Sequence, residues 1–422
     1  MVYIIIHIYR KNTMFSRIFY PFRPSKRPSK KIYADYATLT PISDNVLSLM
    51  SNIYKNYDKN PGALYGSAVQ AKKMLESSRK EVSMLLSGTS ANSVHSDEIF
   101  FTGSGTESNN MAILGVVEAW YETNSVIPHI VTSVIEHPAV KKVVESLVKK
   151  GKVSASFVSV DAEGVVDLSE LKKVFETEKN IILVSIMLVN NEIGTIQPLK
   201  DIARMVRGYR KNSESAYPYF HTDACQAPCY LDMPIDKLGV DLLTLDGGKI
   251  YGPRGIGCLY VKRGTKISSI YKGGGQEMEL RAGTENLPSI AGFALALKNV
   301  FKKRESEVKR IAPMQEFIFS NLPEHVFVNG SLERDSRIVN NINICIPGID
   351  SEFAVFQADV AGVEVSAVTA CQNSQEESRS FVVDALGKDC GGSSLRISLG
   401  QGTTWKHVRK IVQVIQKVST LS

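Results

Sequence analysis

The chain has 422 residues, enough for roughly two to three domains, and its 43% apolar and 22% charged composition excludes a disordered or fibrous protein. The formal charge of +7 resides in residues 1–31, which carry eight Lys/Arg and no Asp/Glu. The remainder holds 42 basic and 43 acidic groups, so the body lacks a nucleic-acid footprint. The apolar run Val2 to Tyr9 is too short to span a bilayer and His7 interrupts it, and no other stretch reaches that length, so no membrane partner is expected.

In chain order, residues 1–31 read as a disordered basic extension, or as an upstream start ahead of Met14. The alternative is an Arg-bearing presequence for a mitochondrial-type organelle. Phe101-Thr-Gly-Ser-Gly-Thr-Glu-Ser-Asn-Asn110 is a Gly/Ser/Thr-rich turn opening a helix at Met111 to Trp120. Val140, Val143, Val144, Leu147 and Val148 fall at helical spacing, and Gly151 stops them. The unbroken apolar run Ile181 to Val189 predicts a strand buried on both faces. An amphipathic helix follows at Leu199 to Tyr209. Further strands are read at Tyr219 to Thr222, Asp241 to Leu245 and Gly257 to Val261. This alternation predicts an α/β architecture, a mostly parallel sheet with helices on both faces. After about residue 300 the pattern changes to a charged helix (Lys302 to Met314), short strands such as Ile342 to Ile346, and a terminal helix (Thr404 to Val418). A smaller α+β C-terminal domain is expected there. The boundaries are therefore residues 32–300 and 301–422, with residues 32–45 free to pack on the smaller unit.

Six cysteines (225, 229, 258, 345, 371 and 390) show no paired zinc spacing and no dense disulfide framework. They fit a reducing cytoplasm and predict no metal site.

Three segments carry chemistry. The turn around Gly105 and Thr106 starts a helix, where outward N–H groups and the helix dipole favour an anion such as phosphate. Asp223, in His221-Thr-Asp-Ala-Cys-Gln226, closes a predicted parallel strand, the edge at which ligands bind in such sheets. Lys249 lies in the glycine-rich run Leu245-Asp-Gly-Gly-Lys-Ile-Tyr-Gly-Pro-Arg-Gly-Ile-Gly257, where close backbone approach and partial desolvation suit a Schiff-base lysine. An anion cradle, a strand-end acid and a loop lysine together suit pyridoxal 5′-phosphate.

With these and further segments in order, the chain resembles the NifS/IscS-like cysteine desulfurases of the class-V, fold-type I pyridoxal phosphate-dependent enzymes. The other matching segments are Tyr33 to Pro41, Asn60-Pro61, Glu136-His137, Val189-Asn-Asn-Glu-Ile-Gly194, Lys249 to Pro253, Arg281-Ala-Gly-Thr-Glu-Asn286 and Ser394 to Gly400. The resemblance covers residues 32–418. It implies a seven-stranded large-domain sheet and these roles: Lys249 forms the Schiff base and carries the substrate α-proton; Asp223 pairs with the ring nitrogen; Gln226 donates to the ring's phenolic oxygen; His137 stacks on the ring. Asn191 orients ring and substrate. Gly105, Thr106 and position 246 hold the phosphate, and Thr284 reaches the phosphate of a neighbouring subunit, implying a homodimer. Arg396 clamps the substrate carboxylate through its guanidinium fork. Cys371, in a polar stretch read as a mobile loop, attacks the sulfur of L-cysteine, becomes a persulfide and releases alanine. The sulfur passes to an acceptor protein, an iron–sulfur scaffold or a tRNA-thiolation carrier.

The chain departs from the family pattern at several points. Gly248 replaces a histidine before the lysine, and Asp246 replaces a phosphate-binding serine. Such a carboxylate repels phosphate unless it turns away or pairs. The loop reads Ala-Val-Thr-Ala-Cys371 without the usual glycine, Gly66 stands for a histidine, and Gly-Gln-Gly-Thr-Thr404 departs from Gly-Arg-Phe-Thr-Thr. The alternatives are a selenocysteine lyase, another class-V enzyme such as an aminotransferase, or a catalytically degenerate scaffold. Cys371 speaks against an aminotransferase, which needs no nucleophile.

Overall fold

The computed structural model describes residues 31–88, 93–367, 380–387 and 392–421; Cys371 lies outside them. The strands in chain order are β1 (Ile32–Tyr33), β2 (Ile99–Thr102), β3 (His129–Ser133), β4 (Ser154–Val158), β5 (Ile181–Ser185), β6 (Tyr219–Asp223), β7 (Leu242–Asp246), β8 (Gly257–Val261), β9 (Phe327–Val328), β10 (Asn341–Pro347), β11 (Val363–Glu364), β12 (Ser366–Ala367) and β13 (Gly392–Ser398). A seven-stranded sheet runs in the order β2-β8-β7-β6-β5-β3-β4. It is parallel from β4 to β7, and only β8 runs against its neighbours. Every residue of β3 and β5 is buried, because the sheet is covered on both faces. The two covering cores are built around Val131, Phe220 and Leu243 on one side and Ile130, Leu183 and Leu242 on the other.

The apolar run from Ile181 forms a strand only as far as Ser185. Ile186 to Val189 remain buried beyond the strand end, where Met187 and Val189 floor a cavity. Apolarity there reports burial and not strand geometry.

The helix predicted at Met111 begins at Gly105 and runs to Tyr121. Ser104 caps it, accepting the Glu107 N–H at 3.2 Å. Close packing holds its start: a Cβ on Gly257 of β8 would lie 2.4 Å from the carbonyl carbon of Ser104. Only glycine lets β8 approach the turn that opens this helix.

The charged helix expected from Lys302 is the second half of one 34-residue helix, Leu287–Ser320, capped by Asn286 with Pro288 in its first turn. Leu287 to Val300 pack in the core of the large sheet, and Ile311 to Ile318 in the C-terminal core. That second core lies against the sheet β12-β13-β10-β9, whose strand pairs are antiparallel. The helix Trp405–Ser419 closes it with Val408, Ile411 and Ile415. Strand β1 pairs with β11, and Ala34 is buried in the C-terminal core, so the chain's first described residues join the smaller unit. From there the segment 35–41 crosses to the large sheet.

The loop preceding the long helix is held by a buried ion pair. Arg79 donates to both Glu277 oxygens at 2.8 Å, and Phe101 N–H donates to Oε2 at 2.8 Å. Glu277, Met278 and Glu279 all have positive φ. The bidentate anchor offsets the cost of that left-handed backbone.

Candidate active site

The carboxyl ends of β2, β6 and β7, the turns after β3 and β5, and the C-terminal sheet meet at a cavity of about 340 Å³. Gly105, Thr106, His137, Asn191, Asp223, Gln226, Asp246, Lys249 and Arg396 all line it. Thr284 does not: it is exposed, on the loop ahead of the long helix. Ser366 and Ala367 of β12 also line the cavity; Cys371, four residues beyond, lies outside the described residues.

Asp223 is the last residue of β6 and reaches the cavity because parallel strands present their carboxyl ends there. Its Oδ2 accepts from Asn109 Nδ2 at 2.6 Å and its Oδ1 from Cys225 N–H at 3.0 Å. Asn109 lies one helical turn beyond Gly105, so the helix start that faces the cavity also orients the strand-end acid. Lys249 ends the short turn Gly247–Lys249 after β7. Its Nζ donates to the carbonyl of Ala37 at 3.1 Å and to that of Thr38. Gln226 Nε2 donates to the same Ala37 carbonyl at 2.9 Å.

His137 caps the helix Pro138–Lys149, its Nδ1 accepting the Ala139 N–H at 3.1 Å. That bond assigns the proton of the neutral ring to Nε2. Burial holds the imidazole pKa below its ordinary value against the opposing pull of Asp223. Arg396 of β13 donates from Nη1 to the Asn191 carbonyl at 2.9 Å, and from Nη2 to Asp35 Oδ1 at 2.9 Å and to Thr38 Oγ1. Its Nε is buried without a partner among the described residues. Asn191 thus enters partly through its carbonyl, as a stay for the arginine.

Two carboxyls that the sequence reading left without a role flank this region. Burial pushes Glu136 up to about 8, although Ser133 Oγ and Met187 N–H donate to its Oε1 at 2.6 and 3.0 Å. Burial likewise pushes Glu192 up to about 7; Ser380 Oγ donates to its Oε2. Asn109 and Asp35 were also unassigned. Both stand in matched segments, so the signal was present, but only the fold shows which side chain each one holds. Cys225 lines the cavity too; burial, with Asp223 and Asp246 nearby, pushes its thiol well up, so it is unsuited to act as a thiolate.

The helix start differs from what its motif suggested. Asp246, the last residue of β7, does not turn away from it. Its Oδ2 accepts the Gly105 N–H at 2.8 Å and its Oδ1 accepts the Gly248 N–H at 2.8 Å. The main-chain donor expected to hold an anion already binds a carboxylate of the chain itself.

A mostly parallel sheet with strand-end acid, loop lysine and inward arginine defines the architecture of a fold-type I enzyme. Residues 32–411 match the model of the class-V aminotransferases. The cysteine desulfurase IscS of Dictyoglomus turgidum is 35% identical over 394 residues, covering 92% of this chain and 94% of that protein. The mitochondrial cysteine desulfurase of Saccharomyces cerevisiae is 32% identical, covering 97% of this chain and 76% of that one. A solved NifS-like protein superposes with a TM-score of 0.81 at 30% identity, covering 93% of this chain and 99% of the other. SspA, solved in complex with cysteine, gives 0.72 at 28% identity over 87% and 98%. The chain belongs to the cysteine desulfurases of the class-V aminotransferase family. Enzymes of that family depend on pyridoxal phosphate in general.

Proposed function

We propose that this chain removes sulfur from L-cysteine, forming L-alanine and a persulfide on Cys371. The observation that carries the reading is the convergence of Lys249, Asp223 and Arg396, from three separate strands or turns, on one cavity. The ring end of that cavity fits the pyridoxal ring and its aldehyde. A carboxylate oriented by two donors is available for the pyridinium nitrogen, Lys249 for the aldehyde, and the His137 imidazole for a ring face. When bound, the group supplies an electron sink for the carbanion at the substrate α-carbon.

The protein's own part follows from its side chains. Arg396 binds the substrate carboxylate, and its buried Nε is a donor that no group among the described residues satisfies. Lys249 Nζ, once released from the Ala37 and Thr38 carbonyls, takes the proton from the substrate α-carbon. Asp223 keeps a proton on the ring nitrogen. The Cys371 thiolate attacks the substrate sulfur: an S–S bond forms, the Cβ–S bond breaks, and its electron pair remains on the Cβ side, where protonation completes alanine. Neutral His137, holding its proton on Nε2, would offer an uncharged imidazole to the ring face.

We further propose a homodimer in which Thr284 serves the neighbouring site. Its exposed position outside its own chain's cavity supports this. The C-terminal unit, residues 301–422, carries the nucleophile, and a sulfur-acceptor protein, in iron–sulfur assembly or tRNA thiolation, receives the persulfide. Among the described residues no helix is long and apolar enough to cross a membrane.

The test is alanine released from L-cysteine by cofactor-loaded protein, wild type beside Cys371→Ala. Alanine from the wild type and none from the variant is the expected result. Equal turnover by both would refute the persulfide step.

A further inference from the structure

The anion end of the cavity is built around a carboxylate. Asp246 accepts from Gly105, the first residue of the helix Gly105–Tyr121, and from Gly248 in the lysine-bearing turn, each at 2.8 Å. The next donors are also committed: Glu107 N–H to Ser104 Oγ at 3.2 Å and Ser108 N–H to the Ser104 carbonyl at 3.0 Å. Thr106 is what the first turn has left to offer a ligand. The carboxylate packs directly against the helix start: an added Cβ on Gly105 would lie 3.2 Å from Asp246 Cβ, 3.3 Å from its Oδ2 and 2.8 Å from Cys225 Sγ.

Charge points the same way. Among the described residues, Asp35, Asp223 and Asp246 line the cavity against two cations, Lys249 and Arg396, while burial pushes the Glu192 carboxyl up to about 7. Lys249 is turned to the Ala37 and Thr38 carbonyls, and Arg396 is tied to Asp35. Arg281, near the helix start, donates to Glu107 at 2.8 Å and is not part of the cavity lining. A dianion placed against Asp246 would meet a like charge and find the Gly105 and Gly248 N–H groups already engaged. A neutral hydroxymethyl group would instead find in Asp246 an acceptor for its O–H.

We infer that Asp246 is a specificity-determining residue that removes most of the preference for a phosphorylated cofactor. The pocket takes the 5′-hydroxyl aldehyde, pyridoxal, about as readily as its 5′-phosphate. This rests on the proposed pyridoxal chemistry at Lys249 and concerns how the other end of the same ligand is recognised.

The experiment is equilibrium titration of cofactor-free protein with pyridoxal 5′-phosphate and with pyridoxal, following Schiff-base absorbance. Borohydride trapping and mass measurement then locate the adduct on Lys249. In the wild type the two dissociation constants should agree within about tenfold. In Asp246→Ser the phosphate ester should bind at least about tenfold more tightly than in the wild type, with pyridoxal unchanged or weaker. Asp246→Asn keeps the side-chain shape and an acceptor for Gly105, and should shift the ratio the same way. A wild-type preference for the phosphate ester of more than about a hundredfold, unmoved in both variants, overturns the inference. Absence of any Lys249 adduct with either aldehyde, in wild type and variants alike, overturns the cofactor reading and this inference with it.

Discussion

The two ends of one cavity are built by opposite rules. At the ring end, Asp223, Lys249, His137 and Arg396 come from different elements, and each is oriented by a partner outside itself: Asn109, the Ala37 and Thr38 carbonyls, Ala139 N–H, and Asp35 with Asn191. At the anion end, Asp246 spans the helix start and the lysine turn, so the chain closes on itself there. An oriented side chain can exchange its partner for a ligand with little reorganisation. A cradle that already holds its own anion resists a second one.

The largest effect that would break this contrast is at the ring end. Lys249→Ala should abolish both the Schiff-base absorbance and alanine formation; a band retained in the variant would remove the lysine from its assigned place. Next, Arg396→Lys keeps the charge but not the fork. The Michaelis constant for cysteine should rise about tenfold or more, the scale of a lost charge-assisted contact, with a smaller change in kcat. An unchanged constant would show that the carboxylate is bound elsewhere.

A smaller effect tests the packing of the anion end. Gly105→Ala places a Cβ 2.8 Å from Cys225 Sγ and should cost about 1–3 kcal/mol of stability, read from urea midpoints. A midpoint equal to wild type would mean that the helix start yields more easily than its contacts suggest.

The smallest effect separates the buried carboxyls from the site. Folded Glu136 and Glu192 keep their protons up to about 8 and about 7, whereas the unfolded chain releases them near the ordinary carboxyl value. Their contribution is therefore full below that ordinary value and is lost as pH rises through about 7 and 8. His137 and His221, whose pKa values burial lowers, act in the opposite sense only below the ordinary imidazole value. Stability should fall between about pH 6.5 and 8, and Glu136→Gln should flatten that slope. A slope of equal size in the variant would assign the loss to other groups.

Much of this was legible before any coordinates. Alternating strands and amphipathic helices announce a parallel sheet, because a strand covered on both faces must be apolar throughout, as β5 is. The strand-end acid and the glycine-rich lysine were visible from residue type and position, and the arginine through the resemblance to a family. The end of β5 was not, since Ile186 to Val189 are buried for a different reason, as cavity floor and its surroundings. Nor was the continuity of the helix Leu287–Ser320, whose first half is buried nearly all round in one core while its second half buries a single stripe in another, so that no one amphipathic period runs through it.

What the linear order determined by itself was the chemical inventory: a lysine, an acid, an arginine and a cysteine in the order of a known family, with a carboxylate at position 246. Where that carboxylate points was decided by tertiary structure alone. Its two hydrogen-bond partners lie 141 residues and two residues away along the chain. Only the packing of β8 against the Ser104 turn brings the first of them within reach of β7. Residue type sets which bonds a group can make, but its effective charge environment is summed over neighbours that sequence separation does not reveal.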